Sequence, residues 1–387
     1  MNVYRLAGML VVLWLSVVLS VARAAPVDQA YQRARDTFVQ THELAVDPAV
    51  VDAPWVAVPF DQVPFTYTFD EMRQRWPQLM RGLRLPFPSP EYLKARYSRF
   101  PDLYRDLHYQ DHDWQQHSEN VLEVWQAFFR GDLRHARDLG NHYGGYARVP
   151  AVLAQITYAV YLAPSQTAKQ QLLQQVINQI QRQAGKELIL PSDKAMLADY
   201  CMYRLGFSYA VARLAEDESV PVILTSNYAP MVINAATEML AVEPDHPLAL
   251  ALSSSLEANV VRRVGKAAGK LTFATDTRDA EQAFGKALKA VDDMAIVRYE
   301  YANSLLYTGQ PDAAKRAEAQ LQKASNEPAL YSMEWLDRAY ARKRLKEIQS
   351  LRASGMSFAR FDRKRRKFMA RHDANLYAVT GKPFLVD

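Results

Sequence analysis

A single cysteine, Cys201, is all the chain contains, so no intrachain disulfide forms and burial must hold the fold. Cys201 lies in an apolar helical run, where a buried inert thiol is the reading over a nucleophile. Glycine is scarce, 14 residues against 20 prolines. Gly-x-x-x-x-Gly-Lys-Ser/Thr, Gly-x-Gly-x-x-Gly and Gly-x-Ser-x-Gly are all missing, which removes the common phosphate cradles and the nucleophile elbow. Gly265-Lys266-Ala267-Ala268-Gly269-Lys270 lacks the spacing of a phosphate loop. Neither sign of charge dominates: 47 basic residues face 42 acidic ones, a net charge of +5. That excess is too small to imply nucleic acid. Aspartate and glutamate are plentiful, but sequence supplies no pair geometry from which to name an acid–base couple.

What is present is mostly helical. Hydrophobic residues make up 49% of the 387-residue chain and charged residues 23%, ordinary for a folded protein with a large core. Leu6 to Val21 is apolar and uncharged, preceded by Arg5 and followed by Ala22-Arg23-Ala24. A run of about 16 residues is short of the ~20 of a membrane span, and the small residues two apart fit signal-peptidase cleavage. A signal peptide over residues 1–24 is therefore expected. The mature chain would start near Ala25 in the periplasm or outside the cell, with no integral membrane span; an uncleaved anchor is the alternative. Export without disulfides is compatible with a bacterial periplasm.

The remaining chain divides by pattern. Residues 25–116 form an N-terminal helical and Pro-rich capping region. Within it, Pro48, Pro54, Pro59 and Pro64 alternate with Trp55, Phe60, Phe65, Tyr67 and Phe69. Prolines break helices and lack ladder donors, so the stretch is expected as an extended strap over the first helices; a partner-binding arm is the other reading. Asp70 to Leu83 is expected as a helix capped by Asp70. Residues 117–244 carry divergent helix pairs, including Asn120 to Phe129, Gln166 to Gln183, Lys194 to Leu214 and Met231 to Val242, with Val220 to Ser226 as a connector. The Lys194–Leu214 helix is apolar almost all round and should be central. Residues 245–352 repeat more regularly, and residues 353–387 form a basic helix and tail.

The regularity lies in Thr277–Leu351. Ala280, Phe284 and Ala287 are spaced four and three apart, followed by Arg298, Tyr301, Ala302 and Leu305, then Gly309 and Ala314. Ala280 and Ala314 are 34 residues apart. After a shift of three residues, Ala324, Pro328, Trp335 and Ala339 fall in the same phase. Gly131 and Ala136 show part of the pattern earlier. These residues resemble the tetratricopeptide repeat, a helix pair of about 34 residues, and the chain is similar to exported bacterial proteins of that type. The resemblance implies an all-α fold, a right-handed α-solenoid of antiparallel helix pairs, with an insertion near residues 264–275. It also implies a concave surface lined by the first helices of the pairs. By phase, Tyr299, Asn303, Leu306, Leu336 and Tyr340 point there as a binding groove, or else are core, since periodicity cannot separate two apolar faces.

Two polar clusters compete for attention. His108, Asp111 and His112 share a helical face at a spacing that can hold a metal, with His135 and His142 as distant candidates, but the Glu of a metallohydrolase helix is missing. Neither a metal nor a cofactor is expected. Arg360, Arg363, Lys364, Arg365, Arg366, Lys367 and Arg371 lie among Phe358, Phe361, Phe368 and Met369. They read as a capping helix with a solvated basic face, or as a contact for an anionic surface or acidic partner. The sequence thus points to a non-enzymatic exported scaffold or binding protein of the cell envelope, holding a peptide, protein or small ligand. The alternative is an exported all-α hydrolase or lyase directed at glycan or peptide, with its site in the aromatic and His-rich region 55–142.

Overall fold

The computed structural model describes residues 45–99, 113–184, 194–216, 228–264, 277–309 and 312–369. These form fifteen α-helices and one 3-10 turn, with no strand among the described residues. The expected signal peptide, the connector at 220–226, nearly all of the expected insertion at 264–275 and the tail after residue 369 lie outside them, as do His108, Asp111 and His112. No helix among the described residues is long and apolar enough to cross a membrane.

The described part of the N-terminal region holds three short helices, α1 (Pro48–Val51), α2 (Phe69–Leu79) and α3 (Pro90–Arg99). The α2 start differs from the expectation of a cap at Asp70. Thr68 accepts from the Glu71 amide while the Glu71 carboxylate accepts from the Thr68 amide, and this reciprocal box satisfies two otherwise orphan donors two residues earlier. The helix also stops short of Leu83, and Arg84 takes a left-handed φ of 53°.

The main helical run begins with α4 (Trp114–Arg130), longer than the Asn120–Phe129 expected because Asp113 caps it at the Gln116 amide, 3.1 Å away. It ends at Gly131, whose φ of 91° is a conformation that glycine adopts without strain. Then come α5 (Leu133–Tyr143), α6 (Arg148–Tyr161), α7 (Gln166–Ala184), α8 (Lys194–Ala215), α9 (Tyr228–Val242) and α10 (Pro247–Val264). The run closes with α11 (Thr277–Ala290), α12 (Ala295–Thr308), α13 (Ala313–Ala324), α14 (Ser332–Ser354) and α15 (Phe358–Met369). From α4 to α14 each helix packs on the next, and α12 also packs on α10 and α14.

Small residues make these approaches. Ala136, Ala287, Ala302 and Ala324 are fully buried, and Ala280 and Trp335 nearly so, while Ala314 and Ala339 are only half-buried. Gly140 is the closest contact: a Cβ there would sit 2.4 Å from the Ala147 carbonyl oxygen, so α5 meets the start of α6 only because position 140 has no side chain.

The end of the run returns to its start. Tyr331, Trp335 and Leu336, in and just before the first turns of α14, belong to the same apolar cluster as Trp125, Phe128 and Phe129 of α4. Its later residues Ala341, Leu345, Ile348 and Leu351 pack instead with α12, α13 and Phe361 of α15. Residues 52–68 run across this junction as a strap. Trp55 stacks on Tyr158 with ring centroids 4.1 Å apart, Phe60 meets Trp335 edge-on at 5.1 Å, and Tyr67 donates its hydroxyl to the Leu330 carbonyl at 2.6 Å. The strap therefore covers the first helices, as expected, and also ties them to α14.

A candidate binding seam between α12 and α14

On α14, Asp337, Tyr340, Arg344 and Glu347 are spaced three, four and three apart, which puts them on one helical face. On α12, Tyr299, Asn303 and Leu306 do the same. The two faces meet. The Tyr299 and Tyr340 rings stand 6.1 Å apart, edge to face, and Arg344 donates from Nε to Asn303 Oδ1 at 3.0 Å. Thus Tyr299, Asn303 and Tyr340 come together. Leu306 and Leu336 are 2% and 0% exposed and lie in two different apolar clusters. As groove-lining residues they are corrected: both are core, because each packs against a neighbouring helix.

Charge concentrates at the Arg344 end. Arg344 Nη1 and Arg365 Nε both donate to the same oxygen of Glu347, Oε2, at 2.8 and 3.0 Å. Arg365 comes from α15, so the basic C-terminal helix is not simply a solvated face: at least one of its cations turns inward to a buried carboxylate. Arg344 and Glu347 side chains are 3% and 1% exposed. Burial pushes the Glu347 carboxyl upward, but Arg365, Arg344 and Lys343 outweigh it and bring it to about 2. Lys343, adjacent on α14, is lowered to about 8 by burial, with Glu347 only partly offsetting. Arg262 of α10 forks onto Asp362 of α15 at 2.7 and 3.0 Å, so those two charges answer each other.

The seam continues toward α6 and α8. Tyr340 packs edge-on against Tyr161 at 4.8 Å and donates its hydroxyl to the Val160 carbonyl at 3.3 Å. Tyr161 donates to Asp337, whose carboxyl is raised to about 7 by burial. Arg213 of α8 bridges Glu216 and Glu300 at 2.6 and 2.7 Å and lies over the Tyr209 ring; burial raises that phenol to about 12.

Three buried atoms along this seam have no hydrogen-bond partner: Arg344 Nη2, Glu347 Oε1 and Arg213 Nε. Most buried polar atoms in proteins are satisfied, so each such atom needs a reason. Stability does not supply one, since buried ion pairs often add little net stability over apolar residues of similar volume. Perturbed, buried ionisable groups gathered in one place are instead a mark of functional sites.

The described histidines of this region do not converge. His117 is buried on α4, within 2.6 Å of the Tyr97 hydroxyl, while His135 and His142 are exposed on α5. Among the described residues, no group of three His, Cys, Asp or Glu is placed to hold a metal ion. Arg344, Glu347, Arg365, Arg213 and Glu300 were not read from the sequence as site residues. The legible signal was the stripe Asp337–Tyr340–Arg344–Glu347, charged groups at the spacing of a buried face. No family model matches the chain, and no curated protein or solved structure matches it either.

Proposed function

We propose that this chain is a non-enzymatic binding protein of the cell envelope, exported by its N-terminal segment. In this reading the helix pairs form a right-handed solenoid of the tetratricopeptide-repeat type, and the α12–α14 seam is its ligand-holding concave surface. The observation that carries it is the unfilled pair of buried atoms, Arg344 Nη2 and Glu347 Oε1, beside the half-buried rings of Tyr299 and Tyr340. Convergent polar groups beside aromatic side chains are what small-ligand sites present.

The alternative, an exported hydrolase or lyase in the 55–142 region, draws no support from the described geometry. Trp55 is stacked on Tyr158, His117 is engaged by Tyr97, and the exposed histidines stand apart on α5. Contact of the basic C-terminal helix with an anionic surface or an acidic protein partner remains part of the proposal through the outward residues Arg360 and Arg363, both exposed.

Native mass spectrometry of the mature chain isolated from its own envelope tests the binding reading. Wild type should carry a discrete bound mass, and Asn303→Ala/Tyr340→Ala should lose it. Wild type free of any adduct, or a variant that keeps the same one, would count against it.

A further inference from the structure

We propose that the first turns of α14 form a clasp on the start of the helical run, closed at acidic pH and loosened as Asp337 gives up its proton, while the rest of α14 keeps its place.

The packing divides α14 in two. Tyr331, Trp335 and Leu336 lie in the apolar cluster of α4, with Ala339 and Tyr340 packed against it. From Ala341 onward, Leu345, Ile348 and Leu351 lie in a second cluster, shared with α12, α13 and Phe361. The boundary falls between Tyr340 and Ala341. Parts of a fold that belong to separate packed units can open separately, so the first turns can leave their cluster without dismantling the second. Their polar ties to the distant chain are single bonds: Ser332 to the Phe128 carbonyl at 2.6 Å, the Tyr67 hydroxyl to the Leu330 carbonyl at 2.6 Å, and Trp335 to Asp61 at 2.9 Å.

Two buried carboxylates sit inside the clasp. Glu334 and Asp337 are three residues apart, hence on one helical face, and are 4% and 2% exposed. Glu334 is answered by Arg81 at 2.6 Å and by the Leu330 amide at 2.8 Å. Asp337 accepts from the Tyr161 hydroxyl. The groups facing Asp337 are Tyr161 of α6, Tyr209 and Arg213 of α8, Glu300 of α12, and Glu334 and Tyr331 beside it. Arg213 is the cation of this set, and it is already paired with Glu216 and Glu300 at 2.6 and 2.7 Å. Glu334 is faced by Arg81, Asp293, Tyr67 and Tyr331, and Arg81 is shared with Asp293 at 2.8 Å.

Proton loss from Asp337 therefore sets a charge beside Glu334 and Glu300 while Arg213 is engaged elsewhere. A buried charge without its own partner is costly, and releasing the segment into water relieves that cost. In the closed clasp burial holds the Asp337 proton up to about pH 7, against an ordinary value of 3.8. Between those values the closed form binds a proton that the open form has released, so opening grows as pH rises toward ~7 and levels above it. Burial raises the Glu334 carboxyl as well, which acts in the same direction.

Hydrogen exchange of the mature chain, followed by mass spectrometry from pH 5 to pH 8 and corrected for the intrinsic rate, tests this. Protection over residues 330–340 should fall by roughly tenfold or more across that range, while residues 341–351 keep theirs. Asp337→Asn cannot ionise and retains an acceptor for Tyr161, so its fall should be smaller. Tyr161→Phe removes a donor that favours the ionised form, so its fall should continue to higher pH before levelling; this variant carries the test if Asp337→Asn does not fold. No fall in wild type, or an equal fall over 341–351, would overturn the clasp. A full fall in Asp337→Asn, or levelling of Tyr161→Phe at or below the wild-type pH, would overturn Asp337 as its trigger.

Discussion

Trp335 donates its indole N–H to Asp61 Oδ1 at 2.9 Å, across 274 positions of chain. The bond is one strand of a junction in which α14 meets both the strap and α4. Ser332 donates its hydroxyl to the Phe128 carbonyl at 2.6 Å beside it, and Tyr331 packs on Phe129. Repeat arrays contact only their neighbours; here the last long helix also contacts the first.

Trp335 therefore holds more than its neighbours in sequence. Trp335→Ala removes a side chain that is 3% exposed and leaves a cavity, a loss of about 3–5 kcal/mol. Asp61→Ala should cost about 1 kcal/mol or less, since the Asp61 side chain is 56% exposed and its pairs are screened. Urea unfolding of the two variants checks the order. A Trp335→Ala protein as stable as Asp61→Ala would mean the junction is not a closure that the fold depends on.

Gly140→Ala should destabilise by about 1–3 kcal/mol, because its Cβ would stand 2.4 Å from the Ala147 carbonyl oxygen and 2.6 Å from the Ala151 Cβ. Neither neighbour is a flexible side-chain end. Gly285→Ala, with nothing within 4 Å of its new Cβ and a position inside α11, should instead be neutral or stabilising. Thermal unfolding of both variants separates packing from propensity.

Asp337 gives a pH dependence of defined sign. Its carboxyl is raised from 3.8 to about 7 by burial, with Tyr161 and Arg213 pulling it down and Glu334 and Glu300 pushing it up. Between those values the folded protein keeps a proton that the unfolded chain has released. Stability contributed by this group is therefore full below pH ~4 and lost as pH rises through ~7, by up to about 1.4 kcal/mol per pH unit. Glu334, raised to about 7 by burial, acts in the same direction. His246, lowered to about 4 by burial, acts in the opposite one. Asp337→Asn isolates the term: relative to wild type, the variant should gain stability from pH 5 to pH 8. A difference that stays flat, measured by urea unfolding at each pH, would contradict the buried protonated state.

Lys343 gives a second dependence, of the opposite sign. Burial lowers its amine to about 8, so it loses its charge well below the ordinary lysine range. The charged groups facing it are Glu347 and Arg344 of its own helix and Arg365 of α15; Glu347, brought to about 2, stays ionised throughout. Between pH ~8 and ~10 the folded protein has released a proton that the unfolded chain still holds, so stability contributed by this group rises with pH across that window and should stay level there in Lys343→Met. Urea unfolding of both proteins at pH ~7.5 and pH ~10 checks it.

Much of the helical layout was readable because it rests on local signals. Gly131 and Gly309 end their helices in left-handed conformations, and Ala280, Phe284 and Ala287, spaced for one helical face, are buried, as is Ala302. The ends of α2 and α4 were misplaced because capping decides them: Thr68 with Glu71, and Asp113, reach back further than hydrophobic spacing shows. The seam was half readable. Tyr299, Asn303 and Tyr340 followed from phase, whereas Leu306 and Leu336 share that phase yet are core, since periodicity marks a face without saying what covers it. Arg365 was hidden for a different reason. Within a run of basic residues, only tertiary contact shows which one turns inward to Glu347.

The most direct test of the binding seam is an experimental electron-density map of the mature chain isolated from its native envelope. The account predicts density for a bound small molecule within hydrogen-bonding distance of Arg344 Nη2 and Glu347 Oε1, lying against Tyr340. A map in which protein side chains alone close around those two atoms would contradict it.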